Sequence, residues 1–385
     1  MHCHLLIPSL FPPGAVTRQN DPLHGIKAPA LQTLLARASC AQAPHSEMES
    51  WLCEAFGVAR QQDYPAAPLC LMADGFPPDG HDKRTTPDHE TRHDRFPHPC
   101  PPPHAGEGDE GSLCEFHVNT HYWLRADPVH LGVERDQLVL SEASTFPLVQ
   151  EEADALVATL NQHFAADGLH FVAPQAQRWY LRLARPPALT THGLYQAAGR
   201  NIHPLLPAGQ EAMRWRALLN EVQMLLFEHP VNVAREARGI APVNSVWLSG
   251  GGVLPQVLPR TFDHVWANDA LARGLAQAAR ILDENLPENA GEWLKQAAPG
   301  KHLLVLDTLR SLACYGDPHA WRGELARLEE QWFAPLKQAL QRGTIALTLH
   351  APTPAGTLNF TLTRGSLWKL WQPVHPLTSY RPQGV

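Results

Sequence analysis

Along most of this chain the apolar positions fall at strand or helix spacing, and one long stretch follows neither. Residues 2–7 form a short apolar run, closed by Pro8 and then Pro12-Pro13-Gly14, and read as a buried first strand. Helical spacing predicts a helix over 29–38. It predicts a second over 47–57, where Met48, Trp51, Leu52, Ala55 and Phe56 share a face and Gly57 provides the stop. The compact apolar run at 68–72, ending in Asp74-Gly75, predicts a buried strand and a turn. Residues 76–118 break the pattern. They are rich in Pro, His, Gly and acids, nearly without aliphatic side chains, and too polar to offset their ordering entropy, so they are expected to be a disordered insertion.

Regular patterning resumes at residue 122. Strands are expected at 122–131 and 137–140, a helix at 148–164, and strands at 169–173 and 178–183, which together make a compact ββαββ unit. The region 210–228 should be a long helix whose apolar stripe packs on a main sheet. A proline-interrupted linker, the apolar run 244–248 and a turn at Gly250-Gly251-Gly252 follow. A strand that runs into glycines would expose backbone N–H groups at the carboxyl edge of an open α/β sheet. A plain tight turn is the alternative reading of the same residues. Next come a strand end at 263–268, a helix at 269–282 opened by an acid, and a buried parallel strand at 302–307. A helix over 318–341 and an edge hairpin at 344–350 and 357–363 complete the pattern, and the aromatic tail 367–371 is expected to dock.

Composition narrows the class. A length of 385 residues suits two domains or one large α/β domain carrying an insertion, and 44% hydrophobic residues suffice for a full core. With a net charge of −7 and scattered Lys and Arg, no nucleic-acid partner is expected. No apolar run approaches the roughly 20 residues of a membrane span, so no membrane partner is expected either. The start carries no basic-then-apolar leader, and the seven cysteines are odd in number and widely spaced, which points to free thiols in the cytoplasm.

Two segments carry a resemblance. His229-Pro230-Val231-Asn232, then Arg235, Gly239, Pro242, Asn244 and a Gly-x-Gly after a strand, resemble the archaeal-type cofactor-independent phosphoglycerate mutases of the alkaline phosphatase superfamily. The run from Tyr122 through Arg125, Asp127, Pro128 and His130 to Leu131, with Arg135-Asp136 after it, resembles the bacterial RpfE-type regulatory proteins of the same group. The resemblance implies an alkaline-phosphatase-like central sheet flanked by helices, with the ββαββ unit inserted. It divides the chain into 1–75, the insertion 76–118, the small domain 119–190, and the second part of the main domain 191–385.

What the resemblance implies about chemistry is less complete. The mutases transfer phosphate through a hydroxyl flanked by two divalent metals held by Asp and His side chains. Here the first strand ends in Pro8-Ser9-Leu10-Phe11, without the family's Asp-Gly, and Ser9 is the nearest hydroxyl by position. Asn201-Ile202-His203-Pro204 stands where an Asp-Pro-His is expected. Asp307, Asp317 and His319 are the candidate metal ligands; Mn or Zn is expected only if they work together, and otherwise no cofactor. Arg125, Asp127, His130, Arg135, Asn244, Gly250 and Gly252 are the candidate ligand-binding residues, for a small phosphorylated or carboxylate ligand; a protein partner is the other expectation. A structural Arg–Asp network is the alternative for the first of these. Two functions therefore stand: a catalytically degenerate, regulatory or ligand-binding relative of the mutases, or a metal-dependent phosphoryl-transfer enzyme with a rearranged site.

Overall fold

The structure is a computed structural model and describes residues 1–12, 21–44, 47–76, 121–369 and 371–381. Nearly all of the expected insertion at 76–118 lies outside these residues. In chain order, the first part holds β1 (His2–Leu6), α1 (Pro29–Arg37), β2 (Ser39–Ala43), α2 (Met48–Ala55) and α3 (Ala66–Ala73). From residue 122 onward come β3 (Tyr122–Glu134), β4 (Gln137–Glu142), α4 (Gln150–Phe164), β5 (His170–Gln175), β6 (Arg178–Leu183) and α5 (Leu194–Ala197). Then follow α6 (Ala212–Phe227), α7 (Pro230–Ala237), β7 (Ser245–Gly252), β8 (His264–Trp266), α8 (Ala270–Ala278), β9 (Leu282–Glu284) and α9 (Ala290–Gln296). The last are β10 (Lys301–Val305), α10 (Thr308–Cys314), α11 (Pro318–Leu328), α12 (Ala334–Arg342), β11 (Ala346–Thr353) and β12 (Gly356–Leu362). None of the described helices is long and apolar enough to cross a membrane.

Two sheets result. The central one runs β2-β12-β11-β1-β10-β8-β9, parallel from β11 to β9 and antiparallel at β12 and β2. Helices cover both faces: Cys3, Leu5 and Ile7 pack toward α1, α9, α11 and α12, while Leu6 packs toward α2, α3 and α8. The hairpin β11–β12 is present as expected, but β2 pairs beyond it and forms the true edge. The second sheet runs β4-β3-β6-β5, with β7 also paired to β3. It contains the expected ββαββ unit, with α4 on one face.

Several expectations fail, each for a physical reason. Residues 68–73 are not a strand but most of α3, and the expected turn follows at Asp74-Gly75. A short apolar run has no period to distinguish a strand from a helix buried on every side. Ala66 through Leu71 are all buried because α3 lies between α8 and the second sheet, touching β7 and β3. The strand 245–252 likewise does not belong to the central sheet. It runs antiparallel to β3, and α6 packs with it in the second sheet's core through Trp215, Leu219, Val222 and Leu226.

The proline-interrupted linker contains α7, in which Pro230 occupies the first turn, where a missing N–H costs little, and His229 caps Val231 N–H at 3.2 Å. The tail aromatics do not dock: Trp368 and Trp371 are 71% and 77% exposed.

The glycines belong to β7 rather than to a turn. Gly250 has φ +62° beside a register shift in the β3 pairing. A side chain on Gly250 would press Ala66, and one on Gly252 would overlap Pro65. Their smallness is thus explained by the close approach of α3 to the second sheet.

Candidate active-site cleft at the carboxyl edge

The parallel strands β1, β10 and β8 are neighbours, and their carboxyl ends deliver Ser9, Asp307 and Asp269 to one edge of the central sheet. Ser9 is held at φ +60°, a conformation that a non-glycine residue adopts at a cost of about 1–2 kcal/mol, and its carbonyl accepts from Trp321 Nε1 at 3.2 Å. Two adjoining cavities of about 350 Å³ and about 280 Å³ open beside this edge and share Glu47, His192, Tyr195 and Gln196. Ser9, Arg200, Arg310 and Thr353 line the first; Arg60, Asp63, Arg125, Thr191, Ser249 and Gly250 are among those lining the second. The cleft therefore takes walls from both sheets.

Charge in the cleft is organised around Arg310, in the first turn of α10. Its guanidinium pairs with Glu49 of α2 and lies 3.9 Å from the centre of the Tyr195 ring. Burial and the neighbouring Asp269 push Asp307 up to about 6, against the pull of Arg310. Asp269 is also raised by burial, although its carboxylate caps α8 by accepting Ala272 N–H at 2.9 Å. For Glu49 burial acts upward, yet the charge and hydrogen bond of Arg310 outweigh it and the carboxyl ends below its ordinary value. Glu47, on the shared wall, is lifted to about 7 by burial and by Glu49. His192 donates from Nδ1 to Leu205 O at 3.1 Å, which leaves its Nε2 as the other ring nitrogen.

The candidates from the sequence separate. Arg125 and Gly250 reach the second cavity. Asp127, 1% exposed, pairs with Arg125 at 2.8 Å; burial raises its carboxyl, and Arg125 offsets that only in part. His130 instead donates to Pro242 O at 3.0 Å. Asn244 bonds both backbone groups of Leu131, at 2.7 and 2.9 Å, and so extends the β3 pairing. Arg135 and Asp136, at φ +44° and +65°, form the exposed turn between β3 and β4. Gly252 packs on Pro65. Asp317 caps α11 by accepting from His319 N and Ala320 N, both at 2.9 Å, and His319 is exposed.

The donor set does not fit the two-metal centre that the mutase resemblance implies. The guanidinium of Arg310, largely withdrawn from solvent and paired with Glu49, offsets Asp269 and Asp307 only in part, yet it would repel a divalent ion placed among them. No group of three or more His, Cys, Asp or Glu that could hold a metal occurs among the described residues. The two histidines of β1 are engaged by β11: His4 Nδ1 meets His350 Nε2 at 3.0 Å, and His2 Nε2 meets Thr348 Oγ1 at 3.0 Å.

Against known proteins, no family model matches the chain. In sequence it is 28% identical over 136 residues to a probable 2,3-bisphosphoglycerate-independent phosphoglycerate mutase of Geobacter sulfurreducens, covering 35% of this chain and 34% of that protein. It is 28% identical over 130 residues to the 2,3-bisphosphoglycerate-independent phosphoglycerate mutase of Methanosarcina barkeri, covering 31% of each. The matched stretch thus spans about a third of these relatives. In structure it aligns with the PH0037 protein of Pyrococcus horikoshii at a TM-score of 0.52 and 12% identity, over 94% of this chain and 87% of that one. The two share a fold. A cofactor-independent phosphoglycerate mutase of Thermoplasma acidophilum aligns over 98% of this chain and 94% of its own, with a TM-score of 0.45 and 14% identity. The chain is accordingly a mixed α/β protein that shares the fold of the PH0037 protein and, over about a third of its length, is similar in sequence to the mutases.

Sequence reasoning missed Glu47, Glu49, Arg310, Tyr195 and His192. Glu49 and Arg310 lie 261 positions apart, a separation that no local pattern reveals. One signal was available: Arg310 follows the strand-end Asp307 by three residues, the spacing at which a first-turn arginine turns back toward the sheet edge.

Proposed function

We propose that this chain is a degenerate, ligand-binding relative of the phosphoglycerate mutases, whose cleft takes a small phosphorylated or carboxylate ligand without two-metal chemistry. The observation that carries this reading is the buried guanidinium of Arg310 among Glu49, Asp269 and Asp307, where phosphoryl transfer would need cations. Arg60, Arg125 and Arg200 on the cleft walls supply the planar donors suited to a phosphate or carboxylate. The RpfE-type resemblance around Arg125 and Asp127 adds a regulatory role, with occupancy of the cleft as the signal.

The test is calorimetric titration of the full chain with 3-phosphoglycerate and with inorganic phosphate, with and without Mn²⁺. Saturable binding independent of Mn²⁺, weakened about tenfold by Arg200→Met, supports the reading; tenfold corresponds to about 1.4 kcal/mol, within the range of one charge-assisted hydrogen bond. Mn²⁺-dependent turnover of 3-phosphoglycerate would establish the enzyme instead.

A further inference from the structure

The chain has eleven tryptophans. Nine are 7% exposed or less, whereas Trp368 and Trp371 stand 71% and 77% exposed, with Val374 beside them at 49%. Leaving two such side chains in water is costly, since each offers one of the largest apolar surfaces available to a residue.

The backbone that carries them is held in place. Arg37, itself only 8% exposed, donates to the carbonyls of both Lys369 and Gln372. Gln372 N–H returns to Lys369 O at 3.1 Å, Lys369 N–H to Ser366 O at 3.2 Å, and Gln32 Nε2 reaches His375 O at 3.3 Å. A buried arginine thus fixes a turn whose two tryptophans point away from the core.

The charge around this turn is one-sided. From residue 331 to the end the sequence holds five Lys and Arg and no Asp or Glu, in a chain whose net charge is −7. The helices packed against the turn, α1 and α12, contain no acid either. Arg364 lies against Gly343, next to Arg342 at the end of α12, and Lys369 sits between the tryptophans in sequence.

We propose that Trp368 and Trp371, with Arg342, Arg364 and Lys369 around them, form a surface that seats on the headgroup layer of an anionic lipid bilayer. Exposed tryptophan rings favour the interface between headgroups and acyl chains, and the cations add attraction to an anionic leaflet. Such a contact needs no spanning segment, so it departs from the sequence-based expectation of no membrane partner without calling on any long apolar helix. It is independent of what the cleft binds.

The experiment is flotation of the full chain with vesicles of phosphatidylcholine alone and of phosphatidylcholine with phosphatidylglycerol, at low and high salt. The expected result is co-flotation with the anionic vesicles only, weakened by salt. A further loss of about tenfold in apparent affinity is expected for Trp368→Ser/Trp371→Ser and for Arg364→Glu/Lys369→Glu. Trp368, Trp371 and Arg364 are exposed and Lys369 is half-buried, and an unchanged melting temperature will show that the variants fold. Absence of co-flotation, or co-flotation that neither double variant weakens, overturns the proposal. So does light scattering that shows a dimer dispersed by the tryptophan pair, because the surface would then join two copies of this chain.

Discussion

Asp307 provides a quantitative test of the cleft's electrostatics. Its carboxyl is moved from an ordinary 3.8 to about 6, first by burial and then by Asp269, with Arg310 opposing. At about 1.4 kcal/mol per pKa unit, a shift of about two units makes the ionised side chain cost the folded state about 3 kcal/mol. The sign follows from proton binding. Between about pH 4 and 6 the folded protein keeps a proton that the unfolded chain has released, so this residue lowers stability as pH rises through that window. Above pH 6 the full cost is present, and below pH 4 none. Asp307→Asn removes the charge and keeps the shape. It should raise unfolding free energy by about 2–3 kcal/mol at pH 7.5, with the gain shrinking toward zero at pH 4. Urea unfolding of variant and wild type at each pH checks this, because the difference cancels the titrations of groups not coupled to Asp307. A variant that is less stable at pH 7.5, or equally stabilised at both pH values, would refute the reasoning, since Asp307 would then be a well-compensated ion.

Other substitutions probe the same framework. Arg310→Met should cost about 3–5 kcal/mol, because it strands Glu49 and leaves Asp269 and Asp307 facing each other; denaturant midpoints measure it. Gly252→Ala should cost about 1–3 kcal/mol, since its methyl would overlap Pro65 where α3 meets β7, and a calorimetric melt will read the loss. Burial depresses His4 to about 3 and His350 to about 4, so both must stay neutral in the folded state. Their own contribution to stability should therefore fall as pH drops from 6.5 toward 4, opposite in sign to that of Asp307, and His350→Gln should reduce it in pH-dependent melts of variant against wild type.

The sequence was most legible where the signal is local. β1, β10, α1, α2 and the capped start of α8 each display a period, a breaker or a cap within a few residues. It was least legible where an element is enclosed by distant neighbours. α3 has no polar face to reveal its helical period because α8 lies on one side of it and the second sheet on another. The glycines of β7 look like a ligand turn locally, whereas their cause is Pro65 and Ala66, which pack on them from far away in the chain. Among site residues, Arg125 and Asp307 were visible as charges at strand positions, but the partner that gives Asp307 its meaning, Arg310 tied to Glu49, exists only once α2 and α10 meet.

The central claim is that Arg310 stands in for the cations of a two-metal centre. The most direct measurement is the metal content of untagged protein after equilibration with Mn²⁺ or Zn²⁺ and removal of free ion. The account predicts no stoichiometric metal in the wild type and no change in content on Asp307→Ala. Two tightly held ions per chain, lost on Asp307→Ala, would contradict it and restore the phosphoryl-transfer enzyme.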